Sequence, residues 1–85
     1  LYMSEKEIGI ITHWFDKIGV AVIKLTDTLS VGDKIKIKRG NEEFEDTVAS
    51  MQIDHKEVSS AQKDDEAALK LSNKAHEGSK VYKIE

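Results

Sequence analysis

Lys34-Ile35-Lys36-Ile37-Lys38-Arg39-Gly40-Asn41-Glu42-Glu43-Phe44-Glu45-Asp46-Thr47 reads as a β-hairpin. Ile35 and Ile37 alternate with Lys34, Lys36 and Lys38, the period of a strand with one buried face. Gly40-Asn41 suits a two-residue type II′ turn, because glycine at the first central position takes a positive φ without steric cost. That turn sets Lys38 against Glu43, Lys36 against Glu45 and Ile37 against Phe44. Charge meets opposite charge and apolar meets apolar, so one register satisfies every pair. The same register sets Asp46 beside Ile35 on the apolar face. This predicts that the far end of the hairpin meets water.

The pattern continues in both directions. Residues 44–53 change parity, with Phe44 and Val48 on even positions and Met51 and Ile53 on odd ones. A bulge or bend near Ala49-Ser50 would place both sets on one face. Upstream, Leu29-Ser30-Val31-Gly32-Asp33 is a turn: Gly32 can adopt positive φ and Asp33 can bond nearby backbone. Residues 18–25 are almost wholly apolar and β-branched, with small Gly19 and Ala21. Such a strand is covered on both faces or packs closely on another segment. Before it, Ile8, Ile10 and Thr12 alternate with Gly9 and Ile11. Downstream, residues 57–66 read as a loop or one helical turn. Ala67, Leu69 and Leu71 then share a strand face, and Asn73 to Ser79 is a polar loop closed by Gly78. Val81, Tyr82 and Ile84 form a last strand. About six strands at this spacing indicate an all-β sandwich or barrel. Residues 1–6 read as a flexible start, with Met3 as the natural first residue, and 7–85 as a single domain.

Composition narrows the function classes. The 85 residues include no cysteine and no proline, so disulfide scaffolds and cysteine-based zinc sites are excluded. No apolar run is long enough for a membrane-spanning helix, and no secretory signal pattern is present. The expectation is a cytoplasmic protein. Net charge is -3, and Arg39 is the single arginine. Nucleic-acid readers favour arginine and a basic domain, so tight, independent DNA binding is not expected. The halves differ: residues 1–40 sum to +2 and residues 41–85 to -5. A local basic face, Lys34, Lys36, Lys38 and Arg39, could therefore grip a phosphate backbone, with Trp14 as a stacking platform. Against this, Glu43 and Glu45 partly neutralise the lysines, and an aromatic at a barrel end commonly fills it. The charged fraction of 34% with only four Asn and Gln is a thermophile tendency. A melting temperature below about 60 °C would count against a hot source.

No catalytic constellation emerges. There is no phosphate-cradling Gly-x-x-x-x-Gly-Lys-Ser/Thr loop. Asn73-Lys74 resembles a guanine-reading motif, but His76 stands where an acid is needed. Ser50 or Ser59 with His55 and Asp54 is close only along the chain. His13 and His55 could join Asp16 or Asp54 around a metal if their strands were neighbours, but no ligand pair has metal spacing. Neither metal nor cofactor is expected, and the chain does not read as an enzyme.

Ile8-Gly9, Gly19-Val20-Ala21, Leu29-Ser30-Val31-Gly32-Asp33-Lys34-Ile35, Thr47-Val48 and Ser50-Met51-Gln52-Ile53 stand in order, followed by Val58, Ala61, Asp65-Glu66 and Leu69. This series resembles the second domain of the translation GTPases, as in elongation factor Tu and initiation factor 2. It resembles more closely the small proteins called translation elongation factor-like. The resemblance spans nearly all of residues 7–84. It implies a small closed six-stranded β-barrel of the translation-factor domain 2 type. It further implies a binding module that contacts tRNA, ribosomal RNA or a translation-related protein. GTP binding is not implied, since no GTPase domain accompanies the barrel. Asp64 stands where that family has glycine before its fifth strand, and Leu71-Ser72-Asn73-Lys74 replaces an Arg-Gly pair near its aminoacyl-end site. An adaptor or accessory subunit that binds protein and no RNA is the alternative.

Overall fold

The computed structural model describes residues 4–85. Its strands are β1 (Glu5–Phe15), β2 (Val20–Leu25), β3 (Leu29–Ser30), β4 (Lys34–Arg39), β5 (Glu42–Thr47), β6 (Met51–Ile53), β7 (Lys56–Glu57), β8 (Ser60–Ala61), β9 (Glu66–Lys70) and β10 (Lys80–Ile84). The fold is all-β and the paired strands are antiparallel. Eight strands form one sheet in the order β5-β4-β10-β1-β2-β9-β6-β7, and β3 pairs with β8 in a second.

The expected closed six-stranded barrel is corrected by this order. The end strands β5 and β7 are not paired with each other, and the main sheet has eight members. The parity change after Val48 is the physical reason. To move from even to odd buried positions, the chain leaves the ladder over residues 48–50 and re-enters it at Met51. The three-residue link, four Cα steps from Thr47 to Met51, reaches at most about 14 Å, so the sheet must curl to bring β5 near β6, and the connection there is covalent rather than a strand pairing. Val48 clips this corner to the turn before β4: its N–H donates to the Asp33 carbonyl (2.9 Å) and its carbonyl accepts from Gly32 N–H (2.8 Å).

The hairpin of β4 and β5 has the register read from its sequence, including Ile37 opposite Phe44 and Lys36 opposite Glu45. Gly40 has φ +60°, as a type II′ turn demands. Asp46 lies opposite Ile35 as expected and is half-exposed. Its carboxylate accepts from Ser72 N–H (2.7 Å) and Ser72 Oγ–H (2.9 Å), so a contact distant in sequence satisfies the polar group.

One turn design recurs at three strand starts. In 30–33, 62–65 and 76–79, the fourth residue's N–H donates to the first residue's carbonyl at 3.0–3.1 Å. The third residue is left-handed each time: Gly32 at φ +97°, Asp64 at +76°, Gly78 at +89°. Asp33 and Asp65 also accept from the N–H of Ser30 and Gln62, both at 2.9 Å. A buried apolar residue flanks each turn on both sides: Leu29 and Ile35, Ala61 and Ala67, Ala75 and Val81. Residues 57–66 accordingly contain β8 and a turn rather than a helical turn.

β1 departs from simple alternation. Register shifts between Glu7 and Gly9, against β10, and between Ile11 and His13, against β2, leave Ile8 and Ile11 buried and Ile10 outside. β1 begins at Glu5, opposite Ile84, so Glu5 and Lys6 are not a loose start. Leu1, Tyr2 and Met3 lie outside the described residues. Ile8, Ile23, Leu25, Leu29, Ile35 and Val81 are fully buried, each worth about 1.5–3 kcal/mol by removal from water.

Candidate functional site

Two of the three outward lysines of β4, Lys36 and Lys38, are paired within the protein itself. Glu5, from β1, places one carboxylate oxygen 2.6 Å from Lys36 Nζ and the other 3.1 Å from Lys38 Nζ. Lys36 also lies 3.8 Å from Glu43, and Lys38 sits 4.8 Å over the Tyr82 ring. Hydrogen bonds from Lys36 and Lys38 hold the Glu5 carboxyl below its usual range, and the bond to Glu5 raises Lys36. A phosphate binding these cations would compete with Glu5 for their charge. Lys34 and Arg39 form no ion pair within 4.0 Å among the described residues.

Trp14 and Arg39 share a shallow cleft with Lys74, Ala75, His76 and Glu77. Trp14 is half-buried and packs on the core, and its indole N–H donates to Asp16 at 3.1 Å. His13 lies 3.2 Å from Glu77 and stacks near Phe15, with ring centroids 4.2 Å apart. His55 lines a groove with Phe15 and Asp54, while Ser50 and Ser59 line a separate hollow. Among the described residues, no group of three or more His, Cys, Asp or Glu side chains is arranged to hold a metal. Gly32 and Gly40 lie in turns at positive φ, Asn41 follows Gly40 in the second turn, and Asp33 closes the first.

The residues missed as a site lie on the outer face of β2. Its inner residues, Ala21, Ile23 and Leu25, are buried, and its outer Val20 and Val22 stay half-exposed. Phe15 is paired with Val20, and Ala68 with Val22, so β1 and β9 extend the apolar surface on both sides. The β1–β2 turn adds Ile18, which is 60% exposed beside Phe15 at 44%. Together they line a groove of about 450 Å³. Asp54, His55 and Glu66 form its polar rim. Asp54 and His55 both have positive φ, +53° and +65°, the geometry of a type I′ hairpin turn between β6 and β7. Holding two non-glycine residues there costs of order 1 kcal/mol each. The sequence signal was the run from Ile18 to Leu25, which asks for cover on both faces.

Comparison with known proteins redirects the functional reading. No family model matches the chain. It is 39% identical over 77 residues to "Uncharacterized protease MJ0090" of Methanocaldococcus jannaschii, covering 89% of this chain and 19% of that protein. The chain thus spans about a fifth of that relative's length. Its fold is that of the C-terminal domain of a Geobacillus thermoleovorans protein described as a U32 peptidase. That crystal structure superposes with a TM-score of 0.86 at 14% identity, over 92% of this chain and 91% of the other. A selenomethionine variant of the same domain gives 0.84 at 13% identity, over 89% and 96%. Protease-named and peptidase-derived domains therefore replace the translation-factor assignment and the RNA-binding role attached to it. The resemblance rested in part on Gly32, Asp33 and Asp65, which belong to the recurring turn. They report a way of starting strands, not a ligand.

Proposed function

We propose that this chain is a non-catalytic accessory module of a peptidase-type protein, serving it through protein–protein contact. The 39% identity to a protease-named relative of about five times the matched length carries this reading. The peptidase-derived C-terminal domain of the same fold supports it. Among the described residues, no helix is long and apolar enough to cross a membrane.

The test is purification of the tagged polypeptide as its source cell makes it, followed by mass spectrometry and a peptide-hydrolysis assay. A peptidase-type body is expected with it, in the same chain or bound to it. The 85 residues alone are expected to hydrolyse neither casein nor short peptides. Recovery without any peptidase-type sequence, or hydrolysis by the 85 residues alone, would overturn the reading.

A further inference from the structure

Near the β1–β2 turn the outer face of the sheet is apolar and uncovered, whereas Lys24, Glu66 and Lys70 make other outward positions of β2 and β9 polar. An antiparallel sheet with one wet face alternates apolar and polar residues. β4 obeys this rule, with Ile35 and Ile37 inside and lysines outside. β2 obeys it only at Lys24: Val20 and Val22 stand where polar residues belong, Val20 between Phe15 and Lys70 and Val22 between His13 and Ala68. The turn between β1 and β2 breaks the corresponding rule for loops, since its tip carries Ile18 rather than a polar turn former. Contiguous exposed apolar surface of this kind marks interaction sites.

We infer that this groove is the seat on which the body of the peptidase-type protein docks. The occupant would be a folded protein surface presenting apolar side chains to Val20, Val22, Phe15 and Ile18 and a basic side chain to Asp54. The inference rests on the functional reading above. The charge pattern points to the basic group: Asp54 and Glu66 line the groove beside His55, and no lysine or arginine lines it. Glu66 already faces Lys24 across the ladder, which leaves Asp54 for the partner. The size of the relative points to the body as occupant. In the Methanocaldococcus jannaschii protein the matched stretch is 19% of the length, so some four-fifths of that chain is available to cover one face of the module. Domain interfaces within a chain commonly take about 600–1,500 Å², more than one groove, so the docked surface extends over the neighbouring strands.

A photo-cross-linking residue placed at Ile18, and as control at Lys63 in the turn before β9, tests this in the full polypeptide made by the source cell. The expected result is cross-linking at 18 at least tenfold above 63, with the linked peptides belonging to the peptidase-type body. Links at 18 to a second copy of this module, to an unrelated protein, or at no more than the control level would overturn the inference. The double substitution Phe15→Asp and Ile18→Asp supplies a second readout, because both side chains are exposed and neither belongs to the buried core. It should raise protease cleavage between module and body, or their dissociation, at least tenfold while leaving the module's thermal midpoint unchanged. No change in association would count against the groove. The two readings fail separately. Absence of any peptidase-type body sinks the functional reading, whereas a body that is present but insensitive to both probes sinks this inference alone.

Discussion

Gly9 has ordinary negative φ, yet it cannot be exchanged freely. A Cβ there would lie 2.7 Å from Ile23 Cγ2 and 2.7 Å from the Lys24 carbonyl oxygen. The carbonyl is part of the β1–β2 ladder and cannot move aside. Gly9→Ala should therefore destabilise by about 1–3 kcal/mol, outweighing the smaller entropic gain of replacing glycine in a strand. In urea titrations the midpoint should fall with the slope unchanged. A second residue-scale prediction concerns Glu5. Its carboxyl is held down by Lys36 and Lys38, and Asp27 is held down chiefly by Lys6. A depressed carboxylate contributes stability above its unfolded pKa, near 4, and loses it as pH falls through the lower folded value. Denaturation midpoints should thus decline on acidification below about pH 4.5, and Glu5→Gln should flatten that decline. An unchanged acid limb would show that Glu5 is not ion-paired in solution. Neither feature was legible locally. Glu5 is far along the chain from the lysines it bridges, and Gly9 appears in the sequence simply as a gap in a strand.

The strand-opening turn offers its test at the scale of elements. Two of its copies use glycine at the left-handed position and the third uses Asp64. A non-glycine residue there costs about 1–2 kcal/mol, offset by glycine's greater unfolded entropy, about 0.4–1 kcal/mol. Asp64→Gly should leave stability unchanged or raise it by up to about 1 kcal/mol. Asp64→Val should lower it by about 1–2 kcal/mol, since β-branching tolerates this conformation worst. Thermal melts of the two variants check the order. Elements of this kind were readable where their cause is local. The β4–β5 hairpin follows from the alternation around Gly40-Asn41, and the Gly32-Asp33 turn from one glycine and one carboxylate. The short β7 and β8 were not readable. Lys56-Glu57 and Ser60-Ala61 carry no pattern and are strands only because Gln52, Ile53, Leu29 and Ser30 lie beside them.

Over the whole molecule, the first and last strands of the chain pair with each other, Glu5 opposite Ile84. Such pairing closes a long loop, so folding should be in the millisecond-to-second range typical of β domains. With no proline in the sequence, the slow phase of about 10–100 s that prolyl isomerisation brings should be missing. Stopped-flow refolding followed by the single tryptophan, Trp14, should show no such phase. The radius of gyration, 11.6 Å, is close to the roughly 12 Å of a compact domain of this length. The uncovered face of β2 is therefore not a symptom of loose packing.

Alternation, turn chemistry and charge pairing act between residues a few positions apart. They established an all-β chain and the hairpin register, and they marked the left-handed turns at Gly32 and Gly40 and one unusually apolar strand. Which side of that strand lies open, whether the curled sheet pairs its ends, and which acid neutralises Lys36 and Lys38 depend on neighbours brought together across the chain. Local spacing carries no information about those neighbours, because they are chosen by how the strands stack around the shared core.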